Sequence, residues 1–351
     1  MPTLTKNVLQ KVTSAIFRAT GAPDDLASLV ADVMVDNHLA GHDSHGILRI
    51  PDYVQSVRVG EIVPTARPSV LEESPTSALV SGNWAFGQVT AVFAADLAIE
   101  KAKRERVAVL SVVQAGHTGR LAAFTERAAR QNVAMFMAIG TVAGPMTAPY
   151  GGSAPVLGTN PVSFSIPNPG GNPVTLDFAT STIAAGKIKV AKTRHEQLPP
   201  DAILDRHGRP STDPQAFFEG GCLQPFGKHK GYALAVIAEL LGGPLAGADR
   251  YPGVTTRSGI FIFAVDAAVF RPLADYEKAL AKTLGRIKAV PPAPGFDEVL
   301  LPGEPEARAR ARRERDGIPI PEDTWQAVCN VGAELGLNVE AMATGAVRPS
   351  P

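Results

Sequence analysis

Residues 131–176, QNVAMFMAIGTVAGPMTAPYGGSAPVLGTNPVSFSIPNPGGNPVTL, carry no charged side chain and no histidine. Glycine and proline interrupt this run too often for a membrane helix, so it reads as buried strands joined by loops. The strands fall at Val133 to Ile139, Val162 to Ile166 and, just beyond, Val174 to Phe178, with Gly151-Gly152, Gly158 and Gly170-Gly171 between them. Outward from this stretch, strand-like runs at Val107 to Val113 and Gly259 to Val265 alternate with helical runs at Val89 to Lys103 and Gly119 to Gln131. The alternation predicts an α/β body. Both ends of the chain are helical in pattern, at about 5–19, 24–40, 304–316 and 321–335.

Pro64-Thr65-Ala66-Arg67-Pro68 and Pro291-Pro292-Ala293-Pro294-Gly295 are linker-like and bracket the mixed region. A chain of 351 residues suits two domains better than one. Neither end alone has enough apolar surface for a core. The expectation is therefore a discontinuous helical domain from 1–75 and 290–351 around an α/β domain at 76–289. Lys+Arg and Asp+Glu both number 34, which leaves no electrostatic footprint for nucleic acid or an anionic membrane and points to a small-molecule partner. Cys222 and Cys329 form no Cys-x-x-Cys pattern, which favours a reducing compartment, and the opening residues lack the apolar core of a signal peptide. A cytoplasmic protein is expected. The arginines between Arg308 and Arg315 alternate with Glu304, Glu306, Glu314 and Asp316 around them and read as a solvated helix face.

Ala40-Gly41-His42-Asp43-Ser44-His45-Gly46-Ile47-Leu48-Arg49-Ile50-Pro51-Asp52-Tyr53 concentrates the chemistry. His45 titrates near neutrality and can pass a proton, and Arg49 offers a planar fork for a carboxylate. Gly41 ends the preceding helix. A new helix starting near Ser44 would project His45, Arg49 and Tyr53 from one face, whereas Pro51 fits only the first turn of such a helix without kinking it.

No Gly-x-Gly-x-x-Gly follows a strand, so the usual dinucleotide fingerprint is missing, and Gly221 to Lys228 fails as a phosphate loop because His229 stands where Ser or Thr belongs. Gly227-Lys228-His229-Lys230-Gly231-Tyr232 opens an apolar helix whose free N–H groups and lysines suit an anion, or simply a charged helix start in solvent. Ala115-Gly116-His117-Thr118-Gly119-Arg120 links a strand to a helix, which makes His117 a second acid/base candidate or a hydrogen-bonded structural histidine. His38, His42 and His45 raise a zinc-hydrolase reading, but Gly41 separates them and no His-Glu-x-x-His accompanies them, so no metal is expected.

Taken in order, these segments resemble the malate/L-lactate dehydrogenase type-2 family, which includes L-sulfolactate and ureidoglycolate dehydrogenases and cyclic imino acid reductases. The markers run nearly end to end: Asp43-Ser44-His45-Gly46 with Arg49 and Tyr53, Gly116-His117-Thr118-Gly119, Ala148-Pro149-Tyr150-Gly151-Gly152 and Leu157-Gly158-Thr159-Asn160-Pro161. Leu176-Asp177-Phe178-Ala179-Thr180-Ser181, His229-Lys230-Gly231-Tyr232 and Pro302-Gly303-Glu304 complete them. The resemblance implies hydride transfer with NAD or NADP on a non-Rossmann fold, a mixed sheet in the cofactor domain, and a homodimer. It implies that His45 carries the substrate proton with support from Ser44, with His117 as the alternative. Arg49 would bind the substrate carboxylate, and Tyr53 and Thr159 would also meet the substrate. His117, Thr118, Gly119, Arg120, Leu121, Thr141, Asp177, Phe178, Ala179, His229, Lys230, Gly303 and Glu304 would line the cofactor.

The implied reaction interconverts a 2-hydroxy acid and a 2-oxo acid, with a cyclic imino acid reductase and a non-catalytic dinucleotide-binding relative as alternatives. Retained His45, Arg49 and Lys230 argue against the last. Lys187 stands where imino acid reductases carry an Asp, Val142 and Gly116 stand where Asn is common, and Lys228 replaces a usual Gly. The identity of the acid and the choice between NAD and NADP stay open.

Overall fold

The computed structural model describes residues 2–141, 144–251 and 258–344. Seven strands form a mixed sheet in the order Ser69–Glu73, Ser77–Ser81, Val107–Ala115, Ser258–Asp266, Val133–Thr141, Val162–Ile166, Val174–Phe178. Ser77–Ser81 and Val107–Ala115 run parallel, as their connection through the helix Gly87–Glu105 requires, and the remaining neighbours are antiparallel. Ser258–Asp266, the last of these strands in sequence, inserts at the centre. Its Ile260, Ile262 and Ala264 are fully buried between Val107–Ala115 and Val133–Thr141.

One face of the sheet is covered by Gly87–Glu105 and Ala122–Ala129. Ala91, Ala94, Ala95, Ala98 and Ala102 line the first of these helices toward the sheet, so that it packs closely, with Phe124 filling the space beside it. The helix His229–Leu240 lies on the opposite side, where Ala238 meets Ala138 and Val162. Residues 185–223 build a smaller lobe, with the helix Ala185–Arg194 and three short strands around Ile188, Leu198, Ile203 and Leu223.

The helices Lys6–Ala19, Asp24–Leu39 and Ile50–Arg58 share one core with Glu322–Glu334 and Val339–Thr344, in which Phe17, Met34, Ile50 and Val328 are fully buried. Each such side chain contributes about 1.5–3 kcal/mol. Thr5 caps the first helix by accepting from Val8 N, and Asp24 and Asp25 favour the start of the second. Thr3–Leu4 pairs antiparallel with Ile318–Pro319, which joins the two ends of the chain directly. The helix Glu304–Asp316 has no buried residue, and Arg310 fastens it to Asp36 through two bonds of 2.6 and 3.0 Å. Among the described residues no helix is long and apolar enough to cross a membrane.

Candidate active site

No continuous helix begins near Ser44. Asp43–His45 and Ile47–Arg49 are separate 3-10 turns interrupted at Gly46, and the α-helix starts only at Ile50 with Pro51 in its first turn. Proline has no N–H to contribute to a preceding turn, so the helix can begin there but cannot extend back through it. His45, Arg49 and Tyr53 are brought together by the tertiary fold and not by a common helical face.

The loop is pinned from beneath. His38, almost wholly buried, accepts from Ile47 N at Nε2 (2.9 Å), which leaves Nδ1 to donate to Asp43 Oδ1 at 3.0 Å. Arg313 grips both oxygens of Asp43 and also donates to the His38 carbonyl, while Asn37 Nδ2 donates to the His45 carbonyl at 3.0 Å. Burial alone would raise the Asp43 carboxyl pKa, but the bonds from His38 and Arg313 outweigh it and hold the group at about 2. Gly46 is required by close approach, because a side-chain carbon there would lie 2.2 Å from the His38 ring. His42 faces Glu306 at 3.5 Å. The three histidines of the zinc reading thus turn to three different partners.

His45 Nδ1 lies 3.1 Å from Ser44 Oγ, and the His45 ring stacks on His117 with centroids 5.7 Å apart. Burial first, then repulsion from His42, Arg49 and Arg120, lowers the His45 pKa to about 4. His117 is exposed as a residue, while its Nδ1 lies 2.7 Å from the hydroxyl of buried Tyr53. Its depth in the protein, together with Arg49 and His45, holds its pKa down at about 3. Gln88 Nε2 donates to the same Tyr53 hydroxyl at 2.8 Å, and burial raises the phenol to about 12. Gly87 lets this helix start press on the loop, since a side-chain carbon there would sit 2.3 Å from the His117 carbonyl oxygen.

Arg49 pairs with Asp52 at 2.9 Å and remains 37% exposed. Its Nε is buried without a hydrogen-bond partner among the described residues. Thr159 is half-buried, its carbonyl held by the backbone N–H and hydroxyl of Thr180 at 2.9 Å each. The helix Ala185–Arg194 begins against the loop, where a side-chain carbon on Gly186 would lie 3.6 Å from Ser44 Cβ, and exposed Lys187 follows it.

The expected cofactor residues fall into three places. In the first, the loop at 117–121 meets the strand Val174–Phe178, because Asp177 Oδ2 accepts from Ala122 N at 2.7 Å. Burial raises the Asp177 pKa to about 6 against the lowering effects of Ala122 N, Arg120 and His42. Thr118 and Leu121 are buried, Gly119 has a left-handed φ of 89°, and Arg120 is bound to Glu126 with Asp36 at 3.9 Å. Thr118 Oγ1 and Arg120 Nε have no hydrogen-bond partner among the described residues. Phe178 packs edge-on against Phe226, and Ala179 follows it. In the second, Lys228, His229 and Lys230 are exposed at the start of His229–Leu240, with the His229 ring against Tyr150. In the third, Gly303 caps Glu304–Asp316, and Glu304 holds Leu301 N and Lys288 at 2.9 Å each. The side chain of Thr141, and Val142 altogether, lie outside the described residues.

The family model for malate/L-lactate dehydrogenase matches residues 4–329. The chain belongs to the malate/L-lactate dehydrogenase family. This dehydrogenase is 35% identical to hydroxycarboxylate dehydrogenase B of Escherichia coli (strain K12), over 95% of this chain and 94% of that one. It superposes on sulfolactate dehydrogenase from Methanocaldococcus jannaschii with a TM-score of 0.88 and 34% identity, covering 97% of this chain and 99% of the other. Another structural relative is delta1-piperideine-2-carboxylate reductase from Pseudomonas syringae, at a TM-score of 0.82 and 29% identity, covering 94% of this chain and 100% of that one. The chain is an enzyme, a dehydrogenase acting on a CH–OH group.

Several residues that support the candidate site were not given that role in the sequence reading. Asn37, His38, Asp43 and Arg313 build the floor of the loop, and Gln88 reaches His117 through Tyr53. Gln88 carried a usable signal, a lone amide in the apolar stretch Ala85 to Ala91. Arg313 carried none, since its neighbours in sequence are the arginines of an exposed helix.

Proposed function

We propose that the enzyme moves hydride between a nicotinamide cofactor, NAD or NADP, and the C2 carbon of a small 2-hydroxy or 2-oxo acid. The reading is carried by the convergence of a partly exposed guanidinium, Arg49, with two neutral stacked imidazoles, His45 and His117. Arg49 anchors the substrate carboxylate, and His45, set by Ser44, accepts the hydroxyl proton during oxidation or returns it during reduction. Thr159 lines the substrate side of the cleft.

The donor set fits an anionic dinucleotide. Thr118 Oγ1 and Arg120 Nε, without a partner among the described residues, lie in the loop at 117–121, and the exposed cations Lys228 and Lys230 flank a helix start. Asp177, Phe178, Ala179, Gly303 and Glu304 complete the proposed cradle, on a non-Rossmann sheet that lies within 76–289 except for its edge strand Ser69–Glu73. The bound nicotinamide supplies the hydride acceptor or donor. The segments 1–75 and 290–351 would form the helical domain that carries the substrate loop. A homodimer in the cytoplasm is part of the proposal; the helix Leu273–Lys288 has no buried residue within the chain, and Phe270 and Phe296 are 91% and 71% exposed.

The test is loss of NADH or NADPH absorbance with a panel of 2-oxo acids and cyclic imino acids. Turnover of a 2-oxo acid is the expected result and fixes the cofactor. Turnover of imines alone would replace this reading with that of the Pseudomonas syringae reductase, against which exposed Lys187 beside the Ser44 loop already weighs.

A further inference from the structure

Gln88 is fully buried on the helix Gly87–Glu105, and among the described residues its Oε1 has no hydrogen-bond partner. A buried amide is costly unless its polarity is used. Here its Nε2 donates to Tyr53 Oη, which lies 2.7 Å from His117 Nδ1. Gln88 is a donor to that oxygen, so among the described residues the phenol proton has one acceptor in hydrogen-bond reach, Nδ1 of His117. An imidazole that accepts at Nδ1 carries its own proton on Nε2.

We infer that Gln88 is a positioning residue that acts through Tyr53 to hold neutral His117 as the Nε2–H tautomer, with a hydrogen-bond donor directed at the substrate oxygen. Proton transfer then belongs to His45. The role of this donor rests on the hydroxy-acid reading of the cleft. During oxidation the substrate O–H bond breaks toward His45 as the C=O bond forms, and a bound nicotinamide would supply the acceptor for the hydrogen and electron pair of the C2–H bond. His117 keeps its proton throughout and holds the oxygen in place, so the two histidines are not interchangeable.

The tautomer is read by nitrogen-15 NMR of histidine-labelled enzyme without substrate, with His117 identified by the signal lost in His117→Gln. Protonated Nε2 in the unaltered enzyme is expected, and protonated Nδ1 would overturn the inference without any further variant. Gln88→Met, of similar shape, is expected to give a mixture of tautomers and to lower kcat roughly tenfold with KM little changed. In a Tyr53→Phe background the same change is expected to have no further effect, because the route through the phenol is already cut. A folded Gln88→Met enzyme with an unchanged tautomer, or an equal loss of kcat in both backgrounds, would overturn it. Absence of turnover with every hydroxy acid, alongside an Nε2–H tautomer that responds to Gln88, would instead remove the functional reading and leave the relay standing.

Discussion

The rings of His45 and His117 lie only 12° from parallel, with 5.7 Å between their centroids. Burial disfavours a positive charge on either ring first, Arg49 opposes it on both, and His45 opposes it on His117. The pair is therefore held neutral, which suits a proton acceptor during oxidation.

The acid limb of kcat/KM for hydroxy-acid oxidation should accordingly fall well below the ordinary histidine range, toward about 4, where His45 becomes protonated. A pH profile of kcat/KM for the hydroxy acid at saturating cofactor measures it. A limb near 6.5 would remove His45 as a depressed base.

Stability should follow the same groups. Both histidines are lowered on folding, so their contribution is fully present above the unfolded value of 6.5 and is lost as pH falls through their folded values of about 4 and about 3. Asp177 is raised to about 6 and acts oppositely, its contribution being present below 3.8 and lost as pH rises through 6. Asp177→Asn should thus steepen the gain in urea resistance between pH 4 and 6.5. An unchanged slope would show that Asp177 does not titrate in this window.

Arg49→Ala should cost about 2–5 kcal/mol in transition-state binding of carboxylate substrates if that ion pair is desolvated in the closed complex. Cofactor affinity, measured by fluorescence titration, should hardly move. Equal losses for an acid and its amide analogue would show that Arg49 does not read the carboxylate.

Arg313→Gln should destabilise the enzyme by about 1–3 kcal/mol, because Asp43 and the His38 carbonyl lose a shared cationic donor. It should also reduce kcat although Arg313 is not among the residues proposed to touch substrate. Urea unfolding and steady-state kinetics on the same sample separate the two effects.

Much of this architecture was legible in the chain. The expected strands at Val162 to Ile166 and Val174 to Phe178 and the helix at 304–316 coincide with the observed elements, because turn residues and charge mark their ends. The insertion of Ser258–Asp266 at the sheet centre was not legible, since apolar periodicity states that a strand is buried and not which strands flank it. Ser69–Glu73 escaped because its side chains are exposed and include Glu72 and Glu73. The candidate site divides likewise: the composition of the loop from Ala40 to Tyr53 carries the proposal of acid/base and carboxylate chemistry, whereas its geometry depends on Arg313 and Gln88, whose contacts lie far away in sequence.

Asp43 and Asp36 are held by Arg313 and Arg310, and Thr3–Leu4 pairs with Ile318–Pro319. During synthesis, every side chain proposed to contact substrate has left the ribosome long before these arginines do. A nascent chain ending ahead of Glu304 would hold Ser44, His45, Arg49, His117 and Thr159 but not the clasp that fixes their loop. The order of synthesis thus withholds the finished loop geometry until residues 304–319 have been made.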